Sequence, residues 1–310
     1  MKRSLIFLAL FVTSLGLHAQ TDTTKKSKGK SNSADSLMNA MGGTEKEEHV
    51  VSAFKATRLI ISQTAETVKK NNLNFLVIHR FGDIAGDVGG GKTAFGLDAV
   101  NDVYIGFEYG LSDNLNVDLG RSTVGQLIEL GLKYAVVHQT SDGSSPVAIT
   151  LFGDYGVRAY QNFPSYGDRV SYLAQAIFSH KFGSDFSLLA SPVFISDNTP
   201  MPNVPGNENN LFAITAAAKL KVTKHMGIVV DYAHPFSSFR TGANGFSDPL
   251  GFGIEVETGG HVFTLNVSNS RSASEITSLS ASQADYGRGQ YRLGFTISRM
   301  FDFNHKSSYK

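Results

Sequence analysis

The sequence predicts an all-β fold: an up-and-down antiparallel transmembrane β-barrel of about twelve strands, with roughly ten to fourteen compatible with the pattern. From residue 73 onwards apolar and polar residues alternate, as they do in strands whose successive side chains point to opposite faces. Each alternating stretch is about as long as a tilted strand that crosses a bilayer. Long and short connections alternate between the stretches, which places the long loops together at one end of the barrel.

Residues 101–122 show the repeating unit most clearly. One face of the first half is apolar, whereas the other carries Asp102, Glu108 and glycines. The polar tripeptide 112–114 favours a chain reversal, and a second alternating stretch follows it. The unit therefore predicts an antiparallel hairpin with one apolar face and one face of carboxylates and glycines.

Residues 1–19 have the pattern of a cleaved secretory signal peptide. Lys2 and Arg3 precede an apolar run that is too short to span a bilayer with ease, and Ala19 supplies the small residue at the cleavage site. An exported barrel predicts the outer membrane of a Gram-negative bacterium as its location. The chain contains no cysteine, which excludes disulfide bonds and a lipid anchor on an N-terminal cysteine.

Charge and hydropathy exclude two other classes of protein. Removal of residues 1–19 takes away Lys2 and Arg3, so that 28 basic residues become 26 against 27 acidic ones. A nearly neutral chain without a basic stripe argues against nucleic acid as a partner. Beyond the signal, the sequence has no apolar run that approaches the length of a transmembrane helix.

The remaining chain divides by composition. The segment after the signal is rich in Lys, Ser, Thr and Gly and predicts a disordered leader, because it has little apolar surface to bury. The segment before the barrel has no clear period, and both a plug inside the barrel and an extra strand remain open. The predicted regions are the signal peptide (1–19), the leader (20–46), the pre-barrel segment (47–72), the barrel (73–303) and the tail (304–310).

The predicted strands follow one another with little interruption. Short connections alternate with loops of roughly ten to twenty residues, and two connections, at 122–125 and 139–146, are of intermediate length. An even number of strands places both chain termini at the short-turn end. The strands are predicted at about 73–81, 102–111, 115–121, 126–138, 147–159, 170–182, 186–195, 211–222, 226–234, 250–257, 262–269 and 290–303.

Alternation alone does not tell which face of the barrel meets water. A soluble lipocalin-like barrel would pack its apolar face inward, and a membrane barrel would turn it outward. About twelve strands exceed what a small soluble barrel needs, and small residues among charged ones suit a crowded interior. Aromatic residues near strand ends favour the membrane barrel, because such residues form girdles at the bilayer interfaces. They are Tyr109, Tyr134, Phe182, Phe186, Phe194, Tyr232, Phe236, Phe252 and Phe301.

Several short stretches carry a family resemblance. They are HRFG at 79–82, FGLD at 95–98, GFEYGL at 106–111 and GRS at 120–122, preceded by FKATRLI at 54–60. With these stretches the chain resembles an uncharacterised family of membrane-bound β-barrel proteins, over about residues 54–301. The resemblance implies an outer-membrane location and supplies no activity.

The last predicted strand resembles the assembly signal of outer-membrane proteins, which ends in an aromatic residue, here Phe301. Arg299 occupies an outward position and a tail follows Phe301, so the match is imperfect. Near the rim of a barrel an arginine on the lipid face costs little. The expected partners are therefore outer-membrane lipids and the barrel assembly machinery.

Gly86–Thr93 matches the nucleotide-binding pattern G-x-x-x-x-G-K-[ST]. A working phosphate loop needs a buried parallel strand before it and a helix after it, and here another alternating strand follows. We therefore expect a glycine-rich loop and no nucleotide. No histidine spacing indicates a metal site, and we expect no cofactor.

The polar faces of the strands supply the candidate lumen-lining residues. Carboxylates outnumber bases among them, so they predict either a narrow, mildly cation-preferring pore or charge pairs that close the interior. They are Asp102, Glu108, Asp118, Glu129, Lys133, Asp154, Arg158, Asp231, Glu255 and Arg292.

Three functions remain open. The first is a non-catalytic barrel that acts as a narrow channel for small solutes or ions. The second is a structural or surface-interaction barrel with a closed lumen. The third is a lipid-modifying enzyme with a Ser–His pair on the outer wall, although adjacent residues such as Ser179 and His180 point to opposite faces.

Overall fold

The structure, a computed structural model, describes residues 50–198, 208–284 and 286–304. The predicted signal peptide and leader lie outside the described residues. So does the tail beyond residue 304.

Twelve antiparallel strands form a closed barrel in which each strand pairs with its neighbours in sequence, and β1 pairs with β12. This confirms the predicted fold class, and each predicted strand is present with its ends shifted by two residues or fewer. The strands are β1 (Asn72–Asp83), β2 (Val100–Gly110), β3 (Leu115–Ser122), β4 (Leu127–Val137), β5 (Ala148–Arg158), β6 (Val170–Phe182), β7 (Phe186–Asp197), β8 (Asn210–Lys221), β9 (Met226–Phe236), β10 (Leu250–Thr258), β11 (His261–Ser268) and β12 (Arg292–Asp302).

The connections separate the two ends of the barrel. The first residue of β1, Asn72, pairs with the last residue of β12, Asp302, so both ends of the sheet lie at one rim. The turns at that rim are short except for the one at 138–147, whereas the opposite rim carries long loops apart from the one at 123–126. We call these the short-turn end and the long-loop end. Outer-membrane barrels place the first in the periplasm and the second outside the cell.

The apolar faces of the strands point outward. Ile105, Phe107 and Leu119 on neighbouring strands are exposed, while their immediate neighbours in sequence are buried or half-buried. Eight of the nine aromatic residues predicted for the interfaces are exposed on the outer wall, and Phe301 is half-exposed. This orientation suits a wall that faces lipid tails. The hydrocarbon core of a bilayer contains no water, so exposed apolar side chains carry no hydration penalty there.

Helices are few and short. The β11–β12 loop contains the one α-helix among the described residues, α1 (Glu275–Ser280). None of the described helices has the length and hydropathy needed to cross a membrane. Short 3-10 turns lie at Gly91–Gly96, Val124–Gln126, Gly167–Arg169, Gly242–Asn244 and Tyr286–Arg288.

The interior of the barrel is filled by two segments. Residues 50–71, which the sequence left open between a plug and an extra strand, run into the barrel and out again; we call them the plug. Residues 269–282 of the β11–β12 loop, including α1, fold inward from the long-loop end; we call them the inward loop. Both segments are largely buried.

Candidate functional site: the plugged interior

The plug enters and leaves the barrel at the short-turn end. Val50 forms a bridge with Thr140 in the β4–β5 turn, and Lys70 forms one with Gly110 at the end of β2. Deep in the barrel the chain reverses, where the Leu59 amide donates to the Ser62 carbonyl at 2.8 Å. Because both ends of the plug leave on the same side, the plug is not threaded through the barrel.

The tip of the plug is held by Asp231 on β9. The Ile61 and Ser62 amides donate to one carboxylate oxygen at 2.7 and 2.9 Å, and the Ser62 hydroxyl donates to the other at 2.7 Å. Asp231 is fully buried. A buried carboxylate needs such donors, since the free energy of leaving it unpaired is high.

The side of the plug is held by charged residues on β2 and β4. The Thr57 hydroxyl donates to Glu108 at 2.6 Å. Lys133 Nζ donates to the Thr57 carbonyl and to the Gln63 side-chain oxygen, each at 2.9 Å. Lys133 is fully buried, so these two neutral oxygens replace its hydration.

Further wall residues hold the carbonyl groups of the plug. Thr150 Oγ1 donates to Ala65 O at 2.8 Å, Ser187 Oγ to Ala53 O at 2.5 Å and an Arg80 guanidinium nitrogen to Ile60 O at 2.5 Å. The donors lie on β5, β7 and β1, on different sides of the barrel. The plug therefore contacts most of the circumference.

Room for the plug tip is made by a glycine of β10. A Cβ atom at Gly251 would lie 2.6 Å from Ile60 Cγ2. That distance is far below van der Waals contact, so a side chain at Gly251 would displace Ile60. Gly251 on the inward face of β10 is thus a contact site for the plug.

Part of the interior is apolar, in addition to the acids, bases and glycines that the sequence predicts there. Phe54 and Ile61 of the plug belong to a buried cluster with Leu189 and Val229 of the wall. A second cluster joins Ala65 to Ile276 and Leu279 of α1 and to apolar residues of β5–β9. On these strands apolar residues occupy both faces, because the plug and α1 shield the inner one from water.

The inward loop is bound to the wall at two carboxylates. Asp102 accepts hydrogen bonds from Ser272 Oγ at 3.0 Å and from the Ala273 amide at 2.7 Å. The Ser274 hydroxyl donates to Glu129. The loop also rests on the plug, where an Arg58 guanidinium nitrogen donates to the Ala273 carbonyl at 2.6 Å.

Together the two segments leave very little space around Arg58. The cavity beside it measures about 10 Å³, close to the smallest volume that holds one water molecule. Within the part of the chain that the structure describes, the plug and the inward loop therefore fill the interior around Arg58.

All ten candidate lumen-lining residues lie on the inward face of their strands. Most contact the plug, the inward loop or another wall residue. Asp102, Glu108, Glu129, Lys133 and Asp231 bind the two inner segments as described above. Arg158 pairs with Asp197 at 3.1 Å, Arg292 with Asp83 at 2.6 Å and Glu255 with Lys219, while Asp118 and Asp154 line the small cavity.

The partners of these residues were not among the predicted lumen-lining residues. Arg80, Asp197 and Lys219 also lie inward, at alternate positions of their strands, and the same periodicity could have identified them. Asp83 also lies inward, but it follows an irregularity after Arg80 that breaks the alternation. Nothing in the sequence of the inward loop, which reads as a serine-rich solvated loop, indicated that Glu275 is buried.

Glu275 gives the interior a pH dependence. Burial raises the pKa of this loop carboxyl group from 4.5 to about 7, in spite of the attraction of Arg58 and a hydrogen bond from Gln175. Between these two values the folded protein binds more protons than the unfolded chain, so this group destabilises the fold as the pH rises from 4.5 to 7.

Glu275→Gln is expected to remove that dependence. The variant should be more stable than the parent at pH 8, by on the order of 3 kcal/mol if the full shift applies, and about equal to it near pH 4.5. The check is the urea midpoint of the protein refolded in lipid, measured at both pH values. Asp185→Asn on an exposed turn is the control; an equal gain in that variant at pH 8 would contradict the prediction.

Two histidines on the outer wall bear on the alternative of a lipid-modifying enzyme. Ser179 points inward and His180 outward on β6, so the two do not meet. His234 Nδ1 lies 2.9 Å from Asp248 Oδ2, and Tyr232 donates to the same carboxylate. Among the described residues, no serine hydroxyl is hydrogen-bonded to His234, and no group of three or more His, Cys, Asp or Glu side chains could hold a metal ion.

The stretch Gly86–Thr93 lies in the β1–β2 loop. The preceding strand is part of an antiparallel sheet, and 3-10 turns rather than an α-helix follow. This is not the strand–loop–helix geometry on which phosphate binding by this motif depends.

A closed barrel with an apolar outer wall and a plugged interior that holds buried charged residues defines a membrane-spanning β-barrel protein. The chain belongs to the family of membrane-bound β-barrel domains DUF5777, whose pattern matches residues 54–301. The family resemblance seen in the sequence is thereby confirmed.

Comparisons beyond the family are distant. No curated protein matches the chain in sequence. Among solved structures, the NanC porin matches with 9% identity and a TM-score of 0.47, covering 74% of this chain and 100% of its own. The KdgM porin matches with 7% identity and a TM-score of 0.44, and the match covers 75% of this chain and 99% of the porin. LpxR from Salmonella typhimurium matches with 12% identity and a TM-score of 0.35, and the match covers 75% of this chain and 100% of LpxR. At these values the likeness does not extend to substrate or activity.

Proposed function

We propose that this protein is a non-catalytic, gated channel for small solutes or ions in the outer membrane of a Gram-negative bacterium. The structure corresponds to its closed state, and withdrawal of the plug into the periplasm opens it. The observation that carries this proposal is the path of the plug, which enters and leaves at the short-turn end. Withdrawal breaks contacts with the wall but leaves the hydrogen bonds between the strands intact.

The chemistry of the wall supports the same proposal. Asp231, Glu108 and Lys133 are held by hydroxyl, amide and carbonyl groups of the plug, and water can replace such groups in an open lumen. Inward-facing carboxylates outnumber bases, which would favour cations over anions in the open state. The inward loop rests on the plug through Arg58 and Ala65, so withdrawal of the plug also removes part of the support of that loop.

A reversible cross-link tests the proposal. The chain has no cysteine of its own, and the Ser187 side chain reaches the Ala53 carbonyl. We expect Ala53→Cys with Ser187→Cys to give no current across a planar bilayer when oxidised and single-channel steps when reduced. The parent protein, under the same reductant, is the control for effects on the bilayer.

Absence of steps in the parent and in the reduced variant, at every voltage and salt concentration tried, would remove the channel. The second candidate, a closed structural or surface-interaction barrel, would then be favoured. The apolar part of the interior supports this candidate, because opening would expose Leu189 and Val229 to water.

A further inference from the structure

The small cavity in the wall of β2–β5 is rich in carboxylates. Glu108, Asp118, Glu129 and Asp154 line it, together with the ring of Tyr104. One oxygen each of Asp118 and Asp154 is buried without a hydrogen-bond partner. The cavity therefore combines acceptors that lack donors with an aromatic face.

The inward loop adds a fifth carboxylate to this region. Glu275 is almost fully buried; one of its oxygens accepts from Gln175 at 2.9 Å and the other has no hydrogen-bond partner. Against the five carboxylates stand two buried cations, Arg58 and Lys133, and the second is already bonded to the plug.

Arg58 of the plug supplies the cation of this cavity. Its side chain is 4% exposed and its guanidinium carbon lies 4.9 Å from the centre of the Tyr104 ring. One nitrogen donates to Ala273 O at 2.6 Å, while Nε has no hydrogen-bond partner. Among the described residues, no carboxylate oxygen lies within ion-pair distance of Arg58.

This arrangement differs from a structural salt bridge. In a buried salt bridge, an arginine is held by a carboxylate at contact distance, commonly through two parallel hydrogen bonds. Arg58 instead lies over an aromatic ring, within a field of carboxylates that do not touch it. Burial lowers the pKa of Arg58, but attraction by Tyr104, Glu129 and Glu275 outweighs burial and the pKa is raised.

We propose that Arg58 is the built-in occupant of a binding site for an organic cation of the guanidinium or alkylamine class. The aromatic face of Tyr104 and the surrounding carboxylates are the groups that recognise such cations. When the plug withdraws, Arg58 leaves the site and a solute of the same chemistry takes its place. This inference rests on the proposed channel and names the class of solute it admits.

Chemical rescue tests the site. Arg58→Ala leaves the carboxylates without their cation and opens a space of guanidinium size. We expect methylguanidinium chloride, at concentrations far below denaturing ones, to stabilise this variant refolded in lipid vesicles. At ten times its dissociation constant, the ratio of folded to unfolded protein should rise about elevenfold. The parent protein should not respond, because its site is occupied.

Two controls separate binding at the site from general effects. N-methylurea has a similar shape without the charge, and sodium chloride supplies the ionic strength; neither should rescue Arg58→Ala. Lys55→Ala removes an exposed cation of the same plug and should not respond to methylguanidinium. An equal response in the parent, in Lys55→Ala or with sodium chloride would overturn the proposal, as would no response in Arg58→Ala.

Refolding yield decides the case in which Arg58→Ala does not fold alone. Recovery of the folded band with methylguanidinium but not with N-methylurea would support the site, and recovery with neither would overturn it. Rescue does not depend on conduction. Rescue together with silent bilayers would keep the cation site and remove the channel, whereas currents without rescue would keep the channel and remove the cation site.

Discussion

Asp231→Ala is expected to release the tip of the plug. The substitution leaves the Ile61 amide, the Ser62 amide and the Ser62 hydroxyl without their acceptor in a buried place. Hydrogen bonds to charged groups contribute roughly 1.5–3 kcal/mol each. Allowing for water that enters the vacated space, we expect the closed state to lose about 4 kcal/mol relative to the withdrawn state.

Trypsin reports the release of the plug directly. Lys55 is exposed at the short-turn end, whereas Arg58 is buried below it. In the parent protein we expect little cleavage after Arg58, and in Asp231→Ala rapid cleavage there, identified by mass spectrometry of the released peptide. In planar bilayers the same variant should conduct more often than the parent.

Two matched variants calibrate this effect. Asp231→Asn keeps one acceptor oxygen and should release the plug less than alanine does. Thr150→Val removes one bond to the Ala65 carbonyl, at 2.8 Å, without adding charge, and should have the smallest effect. If Arg58 stays protected in Asp231→Ala as it does in the parent, the apolar contacts rather than Asp231 hold the plug.

The barrel itself was predictable because its signal is local. Each strand repeats every second residue, and the outward faces are largely apolar, so alternation located the strands to within two residues. The same alternation placed Asp102, Glu129 and Asp231 on inward faces. A strand needs only its own sequence to show its two faces.

The contents of the barrel were not predictable in the same way. Ser62 and Asp231 are 169 residues apart, and no periodicity connects them. The plug is neither helix nor strand, because the wall satisfies its backbone groups in place of a regular ladder. The inward loop has the composition of a solvated loop, and its serines are buried only because wall carboxylates such as Asp102 and Glu129 accept their hydrogen bonds.

Some inward positions of the wall are apolar, and the alternation of polar and apolar residues does not identify them. Leu76 and Ile78 lie on the inner face of β1 and form a buried cluster with Tyr104 and Ala273. Within residues 75–78 of β1 the two faces cannot be told apart by polarity, since the outward positions 75 and 77 are also apolar. Whether an inward position can be apolar depends on what fills the lumen beside it.

Gly120→Ala is expected to disturb the aromatic wall of the cation site. A Cβ atom at Gly120 would lie 1.9 Å from the Tyr104 hydroxyl oxygen and 2.4 Å from the ring carbon that bears it. The ring must therefore turn or shift towards Arg58, which lies over it. Overpacking of this kind costs about 1–3 kcal/mol, and we expect a corresponding decrease in the urea midpoint of the protein in lipid.

A second strand glycine provides the control. A Cβ atom at Gly153 on β5 would meet only the Leu173 carbonyl oxygen, at 4.0 Å. Gly153→Ala should therefore be neutral or stabilise the strand by roughly 0.5–1 kcal/mol, the ordinary gain on replacing a strand glycine. The difference between the two variants isolates the close approach of Tyr104 from the general effect of removing a glycine.

Tyr104→Val completes a double-mutant cycle with Gly120→Ala. Valine lacks the ring that an alanine at position 120 would strike, so Gly120→Ala should cost little in the Tyr104→Val background. The coupling energy between the two positions should then approach the full cost of Gly120→Ala alone. If the two costs simply add, the Tyr104 ring does not lie against Gly120, and the aromatic face assigned to the cation site is wrong.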